Sequence, residues 1–353
     1  MKKILFITKN FPPQKWGIEN YSKDLYENLK QYTTVYLIAN WKWKYFLPIF
    51  WLIAFFKWIY LVRKVDIIYI WDGSISLIGY LLWKLFKKEI YITIHWLDIT
   101  WQNKIYQKVI PPIIQKFDKI IAVSSNTKQI CIDKWVSEDK ISVIYNWLHF
   151  NSLPEFNANL SRNNILNKYW IQNTEWKKIL FSVWRFVERK WIHTFLENSF
   201  PQLNQEQYIY ILWGFWKYEQ KYKKIISENK LNNVHLIGKL DINQIAELET
   251  VSDLFIMPNI EVNWDVEWFW IVIIEAWYYG LPILWTAREW LKDSIINNKT
   301  GILIEDDEER TQNWVGQIEN FNYNHFHRKD VQNEVIENFS WDTIIKQYLE
   351  LIK

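Results

Sequence analysis

Four groups of residues in this chain have types and spacings that can do chemistry. Glu267 and Glu275 bracket a turn and a helix start in VEWFWIVIIEAWYYGLPI (266–283), just after the apolar run DLFIM (253–257). Exposed backbone N–H groups at a helix start accept negative groups of a ligand, although two carboxylates at this spacing are also common on a solvated helix. Arg185 and Lys190 follow the run KILFSV (178–183). A guanidinium and an ammonium at a strand end can hold a diphosphate and offset the charge it develops on leaving; Arg189 fits a solvated surface charge better. His95 ends a strand in TIHWLDIT (93–100), with Asp98 close behind. Such a histidine can hydrogen-bond a ligand or assist proton movement, although a lone histidine is more often structural. Gly17, in the turn FPPQKWGIE (11–19), lets backbone approach a ligand, or belongs to a rigid loop set by its two prolines.

Other chemistries are argued against. No D-x-D occurs to hold a divalent ion with two aspartates. Neither G-x-G-x-x-G nor G-x-x-x-x-G-K-[ST] is present, which speaks against a dinucleotide enzyme and a P-loop NTPase. His325 and His327 lack an evident third ligand, and His149, His193 and His235 read as structural. The single cysteine, Cys131, permits no internal disulfide and fits a reducing cytosol. Net charge is +3, so no strong field draws the chain to nucleic acid. With 50% apolar and 23% charged residues the chain is globular rather than disordered or fibrous.

The elements that must position these groups alternate between short β-branched runs and longer amphipathic stretches, the pattern of βαβ units and a parallel sheet. Strands are expected at 3–8, 34–39, 66–70, 89–94, 119–124 and 140–145, then at 178–183, 208–212, 234–238, 253–257, 281–284 and 301–304. The start, MKKILFITKN, reads as the first strand rather than a signal-peptide core. A chain of 353 residues predicts two domains, and the polar, aperiodic stretch NSLPEFNANLSRNNILNKY (151–169) reads as their linker. The expected division is 1–160, 175–338 and a final helix at 339–353. Ligands of open parallel sheets bind outside the carboxyl ends of the strands, so the cleft between two such halves is the expected active site. The apolar segment 45–62, interrupted by Pro48 and Lys57, reads as a buried helix or one touching a headgroup region rather than a span. The acidic run EDDEER (305–310) reads as a solvated helix start.

One feature of composition asks for a cause. The chain has 25 Trp and 8 Gly, where about 7% glycine is usual. Many tryptophans stand where a strand gives way to a turn, as Trp71, Trp96, Trp184, Trp213 and Trp285 do, or crowd turns, as Trp216, Trp268 and Trp270 do. Turns that need a positive φ or a close backbone approach call for glycine.

On the motifs FPPQKWGIE, TIHWLDIT, VIYNWLH (143–149), SVWRFVERKW (182–191), VEWFWIVIIEAWYYGLPI and NKTGILIE (298–305), the chain resembles the group 1 glycosyltransferases (family 4, GT-B fold) over nearly its whole length. Most mismatches are Trp standing where the family has Gly. The expectation is that most are glycines in the organism, written as Trp through translation of UGA with the wrong table; Trp341 matches the family, while Trp51, Trp58 and Trp277 are undecided. The competing reading makes the indoles sugar-stacking platforms.

The resemblance implies an α/β, two-domain Rossmann-like enzyme whose last helix crosses back to the first domain. It implies transfer of a sugar, with retention, from a UDP- or GDP-linked donor to an acceptor hydroxyl in envelope polysaccharide or glycolipid synthesis. Glu267 would contact the donor sugar and Glu275 the ribose, with Arg185, Lys190 and Gly17 on the diphosphate. Trp268, Phe269, Trp270 and Ile271 would lend donor-loop backbone, His95 would act at the reacting sugar, and Glu19 and Asp98 would face the acceptor. No metal, cofactor or nucleic acid is implied. The acceptor would be a sugar or lipid-linked saccharide, the setting cytoplasmic, with peripheral membrane contact through 45–62. A GT-B sugar-nucleotide epimerase and a non-catalytic, Trp-rich carbohydrate-binding protein stay open as alternatives.

Overall fold

The structure, a computed structural model, describes residues 1–12, 17–39, 58–172, 174–260, 262, 271–287 and 298–353; for Gly17, Trp96, Leu97 and Ile271 it describes the backbone alone. Glu267, Trp268, Phe269, Trp270 and most of the 45–62 segment therefore lie outside the described residues. The chain divides into a first unit, residues 1–147 with 341–353, and a second, residues 148–340.

The first unit holds a parallel sheet of β1 (Ile4–Thr8), β2 (Val35–Ala39), β3 (Ile67–Ile70), β4 (Glu89–Ile94), β5 (Lys119–Ala122) and β6 (Ile141–Val143), in the order β2-β1-β3-β4-β5-β6. Strands β1 and β3 are buried along their whole length. That is why they read as unbroken apolar runs rather than alternating ones. Helices α1 (Gly17–Leu29), α2 (Ser76–Phe86), α3 (Trp96–Thr100), α4 (Lys104–Ile114) and α5 (Ser125–Asp133) fill the crossovers. The last helix of the chain, α12 (Trp341–Ile352), belongs to this unit and buries Trp341, Ile344, Ile345, Tyr348 and Ile352.

The second unit opens with α6 (Arg162–Asn167) and holds β7 (Lys178–Arg185), β8 (Tyr208–Phe215), β9 (Val234–Ile237), β10 (Leu254–Met257), β11 (Ile283–Thr286) and β12 (Gly301–Ile304). They form a second parallel sheet, ordered β12-β11-β10-β7-β8-β9. Its longer helices are α7 (Glu219–Glu228), α8 (Ile242–Val251), α9 (Ile271–Tyr278), α10 (Arg310–Glu319) and α11 (Arg328–Phe339). Each predicted strand corresponds to an observed one.

Two readings change. The stretch 151–169, taken as a linker, folds with the second unit: Ser161 caps α6 by accepting from Asn164 N–H at 3.4 Å, and Ile165 and Leu166 are buried. A six-residue helix spans under two turns and shows no period to read. In the acidic run, Asp306 pairs with Arg310 instead of facing solvent, and the Arg310 guanidinium lies 4.9 Å from the Trp191 ring.

The tryptophans divide by backbone and by partner. Trp135, Trp170, Trp191 and Trp216 have φ of 67°, 57°, 54° and 131°, a region that costs a side-chain-bearing residue about 1–2 kcal/mol. Trp135 and Trp170 follow α5 and α6 at the helix-ending position that favours glycine, since Val136 N–H reaches Cys131 O and Ile171 N–H reaches Leu166 O, each five residues back. Both indoles are more than four-fifths exposed, so no packing offsets the cost. Trp71, Trp147, Trp184 and Trp213 instead bury an Nε1–H that meets no acceptor, at about 1–3 kcal/mol each. Trp277 is different: it is helical, buried, stacked on Phe339 at 6.1 Å, and donates to Thr300 O at 2.9 Å.

Candidate active site

In the first sheet the order reverses between β1 and β3, and at such a switch point the strand ends leave room for a ligand. Lys9 follows β1 and Asp72 stands two residues beyond β3. The Lys9 ammonium lies 3.4 Å from Asp72 Oδ1 and donates to Ser74 Oγ at 2.6 Å, while Ser74 Oγ–H donates to Asp72 Oδ1 at 2.7 Å. Burial weighs against the Lys9 charge, but the carboxylates of Asp72 and Asp98 outweigh it and raise its pKa. Gly73 lets Asp98 close on this turn, since a Cβ there would lie 2.5 Å from Asp98 Cβ.

His95 ends β4, one strand over, and is buried with Nε2 lacking a hydrogen-bond partner. Its backbone N–H donates to Asp98 Oδ2 at 2.9 Å, which ties the two predicted residues together. Burial pushes the imidazole pKa down to about 4, against the pull of Asp72, so the ring is neutral at pH 7. Burial and the Asp72 charge raise the Asp98 carboxyl to about 7. Glu19, on α1, is buried with Oε2 unpartnered, and its charge reaches Lys9. The Trp71 ring stands 5.0 Å from the His95 ring, and Trp147 lies 6.4 Å beyond Trp71. His95, Asp98 and Glu19 thus surround a charged nucleus of Lys9 and Asp72 that sequence reasoning missed. The signal was available in kind, because both stand at strand ends, but which strand ends are neighbours depends on sheet order.

In the second sheet the order reverses between β7 and β10. Arg185, the last residue of β7, is exposed there. Beyond it a tight turn, Glu188–Lys190, carries Lys190 back into the protein, with Nζ 3.3 Å from the Trp184 ring centroid. Arg189, read as a solvated charge, is buried as well, and its carbonyl accepts from Ile260 N–H at 2.8 Å just beyond β10. The turn reverses the chain, so the Arg189 and Lys190 side chains are buried instead of continuing off the strand end into solvent.

Glu275 lies on α9, the helix that follows β10, and burial raises its carboxyl to about 7. Glu249 on α8 is 1% exposed, neither carboxylate oxygen has a partner, and burial with the nearby Glu275 charge holds its pKa well above the ordinary range. Both carboxyls thus favour the protonated form, and Glu275 titrates near neutral pH. Glu249 stood outside the sequence reading because one acid in a helical pattern looks like any surface acid. The predicted site is thus split: Arg185 and Lys190 stand at the switch-point end of the second sheet, with Glu275 on the helix that follows β10; His95, Asp98 and Glu19 share that end of the first sheet; Gly17 begins α1. Among the described residues, no group of three His, Cys, Asp or Glu side chains is placed to hold a metal ion.

Known proteins agree with this architecture. The family described as Glycosyl transferases group 1 matches residues 168–336, and Glycosyltransferase Family 4 matches residues 18–150. An uncharacterised glycosyltransferase of Methanocaldococcus jannaschii is 23% identical over 79% of this chain and 72% of its own length. Among solved structures, Anabaena HepE in complex with UDP superposes with a TM-score of 0.74 at 18% identity, covering 100% of this chain and 99% of HepE; HepE is also known in complex with UDP-glucose. The lipopolysaccharide outer core galactosyltransferase WaaB superposes with a TM-score of 0.74 at 15% identity, over 99% of both chains. With both family matches falling on the two sheet-bearing units in order, the chain belongs to the group 1 glycosyltransferases and has their two-domain, Rossmann-like GT-B fold.

Proposed function

We propose that this glycosyltransferase moves a sugar, with retention of configuration, from a UDP- or GDP-linked donor to an acceptor hydroxyl. What supports the reading is the switch point of the second sheet, where Arg185 ends β7 and the Arg189 carbonyl in the following turn accepts from Ile260 N–H just beyond β10. Arg185 and Lys190 hold the diphosphate and offset its charge as the glycosidic bond breaks and the sugar gains oxocarbenium character. Gly17 lends backbone to the diphosphate. Glu275, when ionised, accepts hydrogen bonds from the ribose hydroxyls, and Glu267 contacts the donor sugar, with backbone of 268–271 completing the donor loop. The neutral imidazole of His95 hydrogen-bonds the reacting sugar without carrying charge, and Asp98 and Glu19 face the acceptor. No metal takes part, since two fixed cations take the diphosphate. The acceptor is a saccharide or lipid-linked saccharide of the cell envelope, a class that the name of WaaB supports, and it is handled on the cytoplasmic side.

The same proposal includes glycine at most of the Trp positions. Left-handed Trp135, Trp170, Trp191 and Trp216 and unpartnered Trp71, Trp147, Trp184 and Trp213 support it; Trp277, packed and hydrogen-bonded, has the features of a true tryptophan. Glycine at 184 removes the ring against the Lys190 ammonium, and glycine at 71 removes the ring against His95. Codons other than UGA at these positions contradict this part.

The test incubates the glycine-restored protein with UDP- and GDP-sugars and lipid or saccharide acceptors, and follows released nucleoside diphosphate. Release that disappears in Glu267→Ala supports transfer. A free sugar nucleotide of altered configuration identifies an epimerase, and sugar binding without nucleotide release identifies a carbohydrate-binding protein.

A further inference from the structure

Helices α2 and α4 pack against one another in the first unit and turn Leu82, Ile110, Ile113 and Ile114 inward. Their other faces are unusual for a protein in water. On α2, Leu77, Leu81 and Leu85 recur every fourth residue, so they share one face, and all three are exposed. On α4, Ile105 and Val109 repeat the spacing and are exposed too; Leu85 reaches 63% and Ile105 76%. Single exposed leucines are ordinary. A field of aliphatics on two adjoining helices is a surface that meets something apolar.

Charge narrows what that something is. Neither helix contains an Asp or Glu, whereas Lys84, Lys104 and Lys108 lie within them and Lys87 and Lys116 just beyond; all five are exposed. Beside these lysines stand two aromatic side chains of α2, Tyr80 and Trp83, with ring centroids 5.7 Å apart. The Lys116 ammonium lies 4.7 Å from the Tyr80 ring and the Lys87 ammonium 5.3 Å from the Trp83 ring. Exposed aliphatic side chains and ammonium groups on flexible stems, side by side on one face, suit a bilayer interface, where the first can enter the acyl boundary while the second reach up to the phosphates. A second copy of the chain fits poorly, because a two-fold contact on this face sets its lysines against their own copies with no carboxylate between them.

We infer that the α2–α4 face is a docking surface for an anionic phospholipid bilayer, with the leucines entering the headgroup boundary and the lysines meeting lipid phosphates. This surface is built from α2 and α4, with no part taken by residues 45–62 or by the strand-end residues of the site. It goes beyond the proposed reaction and stands whichever acceptor the enzyme takes.

Flotation of the full chain with vesicles tests it, using phosphatidylcholine alone and phosphatidylcholine mixed with phosphatidylglycerol. The protein is expected to float with the mixed vesicles, to stay behind with neutral ones, and to be released by salt. Lys84→Gln with Lys108→Gln should weaken binding at least about tenfold, as each lysine near an anionic surface contributes an appreciable share. Leu81→Gln with Leu85→Gln should weaken it comparably even at low salt. All four side chains are exposed, so unchanged thermal melting of these variants shows that the fold is kept. Failure to float with anionic vesicles overturns the inference. So does binding that survives both double variants, which places the contact elsewhere, 45–62 included, and so does a dimer that the leucine variants dissociate, which makes a second copy the occupant.

Discussion

The two units carry six-stranded parallel sheets but wind them differently. Counted from its own first strand, the second sheet reads 3-2-1-4-5-6, while the first reads 2-1-3-4-5-6. Both orders reverse once, and each reversal gathers charged groups at strand ends. What gathers there differs in kind. In the first unit Lys9, Asp72, Ser74 and Asp98 answer one another, leaving a neutral imidazole and a mix of donors and acceptors. In the second, Arg185 ends β7 and the turn beyond it holds Glu188, Arg189 and Lys190, three cations to one acid, while Glu249 and Glu275 sit on helices. The first set suits neutral hydroxyls and the second an anion, the division of acceptor and donor recognition proposed above.

The sharpest break of that comparison comes from exchanging cations for alanine on each side. Lys190→Ala is expected to lower turnover about 10²–10³-fold and to weaken donor binding, as loss of one group aimed at developing charge does. Lys9→Ala should leave donor affinity, measured by titration calorimetry with UDP and GDP, unchanged. Equal donor losses for both would erase the division of labour. A smaller effect is expected for His95→Gln, about fivefold in kcat/KM, because a neutral hydrogen bond is worth about 1 kcal/mol. With its pKa near 4 the histidine should add no inflection to the rate profile between pH 6 and 8; one that vanishes in the variant would show that it works as an imidazolium.

The acids of the second unit give a pH test. Burial raises Glu275, so the free protein prefers it protonated, and its contribution to folding is lost as pH rises from about 4.5 to about 7. Donor binding runs the other way, since the ionised form accepts the ribose hydroxyls. Donor Kd should rise as pH falls below about 7, and Glu275→Gln should flatten that slope. An unchanged slope in the variant would remove Glu275 from the donor site.

The smallest effect tests the tryptophans in both units alike. Trp135→Gly and Trp170→Gly should each stabilise the chain by about 1 kcal/mol in denaturant titration, because each relieves a left-handed indole in water. Trp277→Gly should instead cost about 3 kcal/mol or more, through a cavity and the loss of one of the two hydrogen bonds that the Thr300 carbonyl accepts, the other coming from Ile283 N–H. Loss of stability at all three positions would mark the tryptophans as native.

How much of this was legible in the residues follows from what is local. A buried parallel strand writes itself as an apolar run, so β1 to β12 could be placed from composition alone, and strand-end residues such as His95 and Arg185 came with them. Strand order is not local, so Lys9 and Asp72 went unnoticed although they stand at equivalent ends. The reversal of the chain at Glu188–Lys190 is a three-residue event, too short for periodicity, and it hid the burial of Arg189. Helix α6 escaped for the same reason. The tryptophans were legible as misplaced, since turns have well-known demands, while the difference between Trp135 and Trp277 needed backbone angles and a hydrogen-bond partner.

Most direct for the central claim is release of nucleoside diphosphate by the glycine-restored enzyme, assayed with a panel of UDP- and GDP-sugars and acceptors, beside its Lys190→Ala variant. The account predicts donor-dependent release that requires acceptor, yields a product with the donor's anomeric configuration, and falls by about two to three orders of magnitude in the variant. Release that is indifferent to Lys190, or a product of inverted configuration, would contradict it.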